Sequence, residues 1–255
     1  MKKELSYKFS RYDENAYKNR AFLCYMVMAR HQKIKNIFNN YTKNTFRILD
    51  VGCSKGEYLK DIDAVGIDLD RSALKRQIYG FQALLGDAQN LSIASGKIDI
   101  VLLSEVLEHL PDSDSAIDEV TRVLAEDGTL VISTPVKQSF YDRYYQGSIL
   151  HILVHIVKKL LHRSFQPRDH ISLQTPNDLK YNLYKRNLNI TEEYYIGFSL
   201  PFTQEILNFL FRFNFVKKFY SQIDNNIDKT NKFPMLKWIM IFVCKKEPLK
   251  KRISQ

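Results

Sequence analysis

Residues 47–56 read Arg-Ile-Leu-Asp-Val-Gly-Cys-Ser-Lys-Gly, and this stretch decides the fold class. The apolar, β-prone residues Ile48, Leu49 and Val51 predict a short strand that ends directly in a glycine turn. We expect a helix to begin near Glu57. A strand, a glycine turn and a helix in this order present backbone N–H groups to a negatively charged ligand in α/β proteins.

Two other interpretations of the glycine turn are disfavoured by its context. Gly52-Cys53-Ser54-Lys55-Gly56 also fits the G-x-S-x-G nucleophile elbow of α/β-hydrolases. In that fold several strands precede the nucleophile, whereas here the chain before the turn is long enough for only about one helix. In addition, no later histidine has the position of a triad member. The dinucleotide fingerprint G-x-G-x-x-G is not present, which argues against a nicotinamide enzyme.

The downstream sequence predicts four more strands. They lie within residues 64–70, 81–90, 98–103 and 130–133. Asp68 lies 16 residues after Gly52, close to the spacing at which an acid meets ribose hydroxyls in nucleotide-binding α/β sheets. The 98–103 segment is apolar, as expected of a strand that is buried on both faces.

Five motifs in this order resemble those of the class I S-adenosylmethionine (AdoMet) methyltransferases, of the small-molecule type that includes the ubiquinone-biosynthesis O-methyltransferases. The matching segments are 49–53 (LDVGC), 66–68 (GID), 86–88 (GDA), 99–110 (DIVLLSEVLEHL) and 127–135 (DGTLVISTP). The resemblance implies a Rossmann-like α/β fold, with a seven-stranded, mostly parallel sheet, helices on both faces and an antiparallel last strand. The chain departs from the family pattern at Ser54, where glycine is usual.

The sequence divides into three parts in this interpretation. Residues 1–44 are an N-terminal helical segment, residues 45–247 are the methyltransferase domain, and residues 248–255 are a basic tail. A helical lid insertion at about 136–170 interrupts the domain after the fifth strand. Beyond the insertion we predict helices over 176–186 and 201–213 and strands over 189–197 and 237–244.

Residues 149–161, inside the insertion, have the pattern of an amphipathic helix. The apolar positions 149, 152, 153, 156, 157 and 160 fall on one face, and histidine and lysine residues fall on the other. One interpretation is a lid helix whose apolar face packs on the domain. The other is a helix that lies on an anionic membrane surface and reaches for lipophilic substrate.

The resemblance implies AdoMet as the cofactor and gives the first motif its role. Asp50 and the backbone of the turn would hold the methionine end of AdoMet, because a carboxylate accepts hydrogen bonds from an ammonium group. In this interpretation Gly52, Cys53, Ser54 and Gly56 are cofactor-binding residues, and the glycines leave room for the ligand to approach the backbone.

The later motifs would bind the rest of the cofactor. Asp68, with Leu69 beside it, would hold the ribose hydroxyls. Asp87 and the N–H of Ala88 would meet the adenine edge. Ser104 follows the fourth strand and would lie near the methionine moiety or the methyl acceptor.

Residues 105–109 and one later histidine are candidates for the acceptor side. Glu105 and Glu108 are three residues apart, so one helical turn would put both on one face, with His109 adjacent and His170 as a fourth candidate. This pattern resembles the metal site of small-RNA 3′-terminal 2′-O-methyltransferases and suits Mg²⁺ or another divalent cation. Without a metal, His109 or His170 is the expected general base, because imidazole titrates near neutral pH.

The amino-acid composition and net charge of the chain exclude few classes of function. The 255 residues carry a formal net charge of +10, which fits anionic partners or simply a lysine-rich proteome. Three scattered cysteines form no metal or disulfide pattern, and we expect a cytoplasmic protein without a signal peptide, either free or peripheral to a membrane. We expect O-methylation of a small-molecule hydroxyl, prenylated or on a sugar. An RNA methyltransferase and a non-catalytic binding protein are the alternatives.

Overall fold

The computed structural model describes residues 21–42, 47–77, 79–137, 171–198, 209–227 and 237–248. Within these ranges the helices are α1 (Ala21–Thr42), α2 (Arg71–Leu74), α3 (Ser113–Val123), α4 (Pro176–Tyr184) and α5 (Asn214–Ile227), with a 3₁₀ helix at Leu107–His109. The strands are β1 (Ile48–Val51), β2 (Val65–Asp68), β3 (Gln82–Leu85), β4 (Ile98–Ser104), β5 (Leu124–Pro135), β6 (Leu188–Phe198) and β7 (Lys237–Lys246).

These strands form one sheet in the order β3-β2-β1-β4-β5-β7-β6. The pairs β3–β2, β2–β1, β1–β4 and β4–β5 are parallel. The sheet is mixed overall, mostly parallel with an antiparallel strand pair, and helices flank it. The predicted Rossmann-like fold is therefore confirmed.

Strand β1 lies between β2 and β4, at the point where the strand order reverses direction. Asp50 pairs in register with Gly66 on one side and with Leu102 on the other. In open α/β sheets ligands bind outside the carboxyl ends of the strands at this switch point. The turn after β1, Asp68 at the end of β2 and Ser104 at the end of β4 all lie at this edge.

The central strands are held by burial of apolar side chains on both faces. Ile48, Leu49 and Val51 of β1 are buried, and so are the residues 100–103 of β4. Such strands appear in the sequence as apolar runs, which is why they were predicted correctly.

One predicted helix needs correction, and one helix was missed. The helix expected from Glu57 is not formed; the chain instead makes successive turns, with Gly56 N–H donating to Cys53 O and Leu59 N–H to Gly56 O. The positive φ of Asp61 interrupts a helical path in this short connection to β2. Helix α5 was not predicted, and most of the predicted 201–213 helix lies outside the described residues.

The chain comprises two compact units. One consists of residues 34–135, 169–193 and 240–255 and holds the switch point. The other consists of residues 1–33, 136–168 and 194–239. Most of the predicted lid, including 149–161, lies outside the described residues and stays a prediction. No helix in the described part of the chain has the length and apolar character needed to cross a bilayer.

Candidate active site

The turn after β1 is fastened to the end of β2 by backbone hydrogen bonds. The N–H groups of Gly52 and Cys53 both donate to the carbonyl oxygen of Ile67, at 2.7 and 3.0 Å. The Ser54 N–H donates to Asp68 Oδ2 at 2.7 Å. These hydrogen bonds therefore connect the turn that follows β1 directly to the GID motif at residues 66–68.

Gly52 and Gly56 are required by the backbone and by neighbouring side chains. Their φ angles are +75° and +79°, in the left-handed region that favours glycine. A Cβ added to Gly52 would collide with the side chain of Val106, and one added to Gly56 would collide with Phe81. The space that we expected a ligand to use at these glycines is thus filled by the protein itself.

Ser54 occupies a similar conformation without being glycine. Its φ is +50°, which costs an ordinary residue about 1–2 kcal/mol. The hydrogen bond from the Ser54 N–H to Asp68 helps to hold this conformation. The departure from the family's usual glycine is therefore accommodated with the turn intact.

Asp50 lies at the centre of the site as a buried carboxylate. Its side chain is 1% exposed, and Oδ2 has no hydrogen-bond partner among the described residues. Burial raises the pKa of Asp50 well above its usual range, and the negative charges of Asp68 and Glu57 raise it further. The buried Ser54 Oγ is also without a partner in the part of the chain that is described. These unsatisfied oxygens fit a cationic hydrogen-bond donor, such as the ammonium group at the methionine end of AdoMet.

Asp68, at the carboxyl end of β2, is half-buried. Oδ1 accepts from the Asp70 N–H at 2.8 Å, while Oδ2 accepts from Ser54. Each carboxylate oxygen retains a second lone pair, so Asp68 still has capacity for two hydroxyl donors. Leu69 beside it is exposed.

The third motif is brought next to Asp68 by the pairing of β2 with β3. The Gly86 N–H donates to the Asp68 carbonyl oxygen at 3.1 Å. Asp87 follows, and its Oδ1 accepts from the Gln89 N–H at 2.9 Å. Ala88 is buried. The predicted ribose and adenine residues therefore lie at adjacent strand ends.

A chain of hydroxyl groups links the ends of β4 and β5. Ser104 Oγ lies 3.1 Å from Ser133 Oγ and donates to the Tyr58 hydroxyl at a long 3.5 Å. Ser133 Oγ donates to Glu105 Oε1 at 3.0 Å. Tyr58 and Ser133 were missed by the sequence analysis, because only the tertiary structure brings them to Ser104.

Glu105 does not share a helical turn with Glu108, so that expectation was wrong. Its φ is +57°, and its N–H donates to Ser133 O before the 3₁₀ helix begins at Leu107. Glu108 is 1% exposed and accepts from Thr134 Oγ1 at 3.2 Å. Each carboxylate is therefore directed to its own hydroxyl on β5.

His109 lies at the surface of this region. Its side chain is 45% exposed, and Nε2 is 3.9 Å from Glu108 Oε1. His170 lies outside the described residues, although the next residue, Ile171, donates its N–H to Glu108 O at 2.7 Å. Within the described ranges, no three His, Cys, Asp or Glu side chains converge as metal ligands. The roles assigned to His109 and His170 stay predictions.

Comparison with known proteins agrees with this geometry. A family model described as a methyltransferase domain matches residues 17–193. A solved AdoMet-dependent methyltransferase from Archaeoglobus fulgidus has a TM-score of 0.56 at 19% identity, covering 85% of this chain and 94% of that one. That structure has the same Rossmann-like fold.

Two curated relatives align with shorter stretches. The ubiquinone biosynthesis O-methyltransferase of Psychrobacter arcticus is 32% identical over 126 residues, which are 44% of this chain and 48% of the relative. The norajmaline N-methyltransferase of Rauvolfia serpentina is 32% identical over 117 residues, 39% of each chain. The chain thus spans about half or less of the length of these relatives.

The sheet order and the acidic strand ends define a class I AdoMet-dependent methyltransferase. The family model covers more than half of the sequence, and the chain belongs to the methyltransferase-domain family. Membership of this family implies an enzyme that uses AdoMet as its cofactor.

Proposed function

We propose that this enzyme transfers the methyl group of AdoMet to a hydroxyl oxygen of a small molecule. The proposal that AdoMet binds here is supported mainly by the buried Asp50 carboxylate, because its Oδ2 has no hydrogen-bond partner in the described residues. The oxygen acceptor is supported by the O-methyltransferase of P. arcticus. The N-methyltransferase relative makes nitrogen the competing acceptor.

Each residue at the cofactor end has a defined task in this proposal. Bound AdoMet supplies an activated methyl group, and the enzyme's main contribution is to orient it toward the acceptor. Asp50 accepts hydrogen bonds from the cationic methionine end, with Ser54 Oγ as a neighbouring acceptor or donor. Asp68 binds the ribose hydroxyls, and Asp87 with the Ala88 N–H binds the adenine edge.

The acceptor hydroxyl must also lose its proton. His109 is exposed enough to meet an acceptor, and the buried Glu108 lies beside its Nε2. Thr134 holds Glu108 through a hydrogen bond, which places the carboxylate 3.9 Å from His109 Nε2, within range of electrostatic attraction to a protonated imidazole. His109 is therefore the proposed general base, with His170 as the second candidate. In a metal-assisted version of the proposal, Glu105, Glu108 and both histidines would be ligands of Mg²⁺; the two carboxylates would have to turn from the separate β5 hydroxyls to which they are now directed.

Calorimetric titration and a methyl-transfer assay test the proposal. The purified protein is titrated with AdoMet and with S-adenosylhomocysteine, with and without EDTA or added Mg²⁺. Transfer of labelled methyl groups is then measured to catechols, prenylated phenols, sugars and matched amines. We expect AdoMet to bind and a hydroxyl compound to become labelled. Failure to bind AdoMet would overturn the cofactor assignment, and labelling of amines alone would overturn the oxygen acceptor. Loss of transfer in EDTA, restored by Mg²⁺, would favour the metal-assisted version.

A further inference from the structure

Four phenylalanine side chains are exposed on residues 209–219 of the second compact unit. Phe209, Phe213, Phe215 and Phe219 are 58%, 46%, 72% and 65% exposed. Because a whole aromatic side chain covers about 150–250 Å², together they leave roughly 350–600 Å² of apolar surface in water. Apolar patches of this size on a protein surface mark interaction sites. We call these four residues the aromatic patch.

The segment that carries the aromatic patch is anchored to the rest of its unit. Phe211 and Tyr220 are buried, and their ring centroids lie 5.1 Å apart. Both rings pack on Phe22 and Tyr25 of α1, with centroid distances of 5.0–5.6 Å. The exposed phenylalanines are therefore presented on a packed scaffold.

The exposed rings also contact one another. The centroids of Phe209 and Phe213 lie 6.0 Å apart in an edge-to-face arrangement, and those of Phe213 and Phe215 also lie 6.0 Å apart. Phe215 and Phe219 are four residues apart on α5, so they lie on one face of that helix. The four side chains thus form a continuous surface.

The charges interspersed with the aromatic patch all have the same sign. Arg212, Lys217 and Lys218 lie between its members, and residues 209–222 contain no aspartate or glutamate. The Arg212 guanidinium is 6.0 Å from the Phe209 ring centroid. Arg212 and Lys218 are exposed beside the patch, whereas Lys217 is half-buried and lies near Cys24 of α1. A surface that is apolar with neighbouring positive charge complements a partner that is apolar and anionic.

We propose that the aromatic patch docks the enzyme on an anionic lipid bilayer. Phenylalanine has no polar group, so its ring is stabilised when it passes below the lipid headgroups, while the flexible lysine and arginine chains keep their charges at phosphate level. Three cations are few for a surface that tracks a nucleic-acid backbone. This contact is distinct from the predicted 149–161 helix, and it does not depend on which acceptor is methylated.

Vesicle co-sedimentation tests the proposal with the full-length protein. Phosphatidylcholine vesicles are compared with vesicles that also contain phosphatidylserine. We expect preferential binding to the anionic vesicles. Replacing both Phe215 and Phe219 with serine should weaken binding by at least about tenfold, since their apolar area no longer leaves water. The double change Arg212→Gln, Lys218→Gln should weaken it by about fivefold per charge. Tyr181→Ser, at an equally exposed aromatic residue of α4, is the matched control and should bind like the wild type.

AdoMet affinity and melting temperature are measured for each variant to verify that it is folded. Both should be unchanged, because the replaced phenylalanines are exposed. A Phe215→Trp variant gives a second readout, because its indole emission should shift to the blue only with anionic vesicles. Vesicle binding that survives the double phenylalanine change would overturn the proposal and place the contact elsewhere. Patch-dependent binding to single-stranded RNA without vesicle binding, or patch-dependent dimerisation without lipid, would overturn it as well.

Discussion

Replacing Asp50 with asparagine should stabilise the cofactor-free enzyme and weaken its binding of AdoMet. The change keeps the shape of the side chain and removes the charge. In the free protein Asp50 is buried, and Oδ2 has no partner within the described residues, so its negative charge is unfavourable there. In the complex we expect the same charge to meet the cationic end of AdoMet, where it is favourable.

The two effects have different magnitudes. A hydrogen bond to a charged group contributes about 1.5–3 kcal/mol, so the dissociation constant of AdoMet should rise by about 10- to 150-fold. An unsatisfied buried polar group costs about 1–3 kcal/mol, and more when it is charged. Asparagine remains polar, so we expect a gain in unfolding free energy near the lower end, about 1 kcal/mol. For a protein of this size that gain raises the melting temperature by about 2–4 °C.

The stability effect should depend on pH in a defined direction. Burial, followed by the charges of Asp68 and Glu57, raises the pKa of Asp50 above its unfolded value of 3.8. The folded protein therefore holds this proton more tightly than the unfolded chain does, and the wild type loses stability as pH rises from the unfolded pKa to the folded pKa. Asparagine does not titrate. The stability advantage of Asp50→Asn should vanish in acid and grow with pH.

Differential scanning calorimetry across this pH range, with AdoMet titration at neutral pH, measures both effects. Asp63→Asn is the matched control, because Asp63 is exposed and lies in the same connection between β1 and β2. The control should change neither the melting temperature nor the AdoMet affinity. The reasoning is refuted if Asp50→Asn binds AdoMet like the wild type, or if it melts lower than the wild type at neutral pH.

Three further predictions concern single residues of the site. Asp68→Ala should weaken AdoMet binding at least about tenfold in a calorimetric titration, because the ribose hydroxyls and the Ser54 N–H lose their acceptor; equal affinity would remove the ribose assignment. Gly52→Ala should lower the unfolding free energy by about 1–2 kcal/mol or more in urea titrations, given the positive φ and the contact with Val106; an unchanged midpoint would contradict it. His109→Gln should keep AdoMet affinity but lower the transfer rate about 10²- to 10⁴-fold; an unchanged transfer rate would exclude His109 as the base.

The central strands could be predicted from the sequence because their local pattern and their final environment agree. Residues 48–51 and 98–103 are apolar runs, and they become buried parallel strands. Strand β7, predicted over 237–244, follows the same rule. Helix α4 was recognised from Pro176-Asn177-Asp178. The structure adds a capping box, in which the Thr175 hydroxyl accepts from the Asp178 N–H and the Asp178 carboxylate accepts from the Thr175 N–H.

The elements that the sequence analysis missed are those in which the local sequence pattern does not match the environment of the residues in the folded protein. Phe215 and Phe219 face solvent on α5, so apolar residues of this helix do not all mark its buried face, and the sequence pattern alone did not identify the helix. Ser54 and Asp61 adopt positive φ, which their residue types do not signal, and the predicted helix after β1 gives way to turns. In both places the tertiary environment overrides local preference.

The sequence by itself determined the fold class, the family and the positions of the acidic residues after the strands, because each motif is a local pattern of apolar runs, turns and acids at fixed spacing. Only the tertiary structure decided how those residues are connected. It joins Ser54 to Asp68, and Ser104 to Ser133 and Glu105, over distances along the chain that no local pattern encodes. It also leaves a buried carboxylate oxygen of Asp50 unsatisfied within the described residues. Burial and hydrogen bonding between distant segments are properties of packing, and they emerge only when the sheet brings its strand ends together.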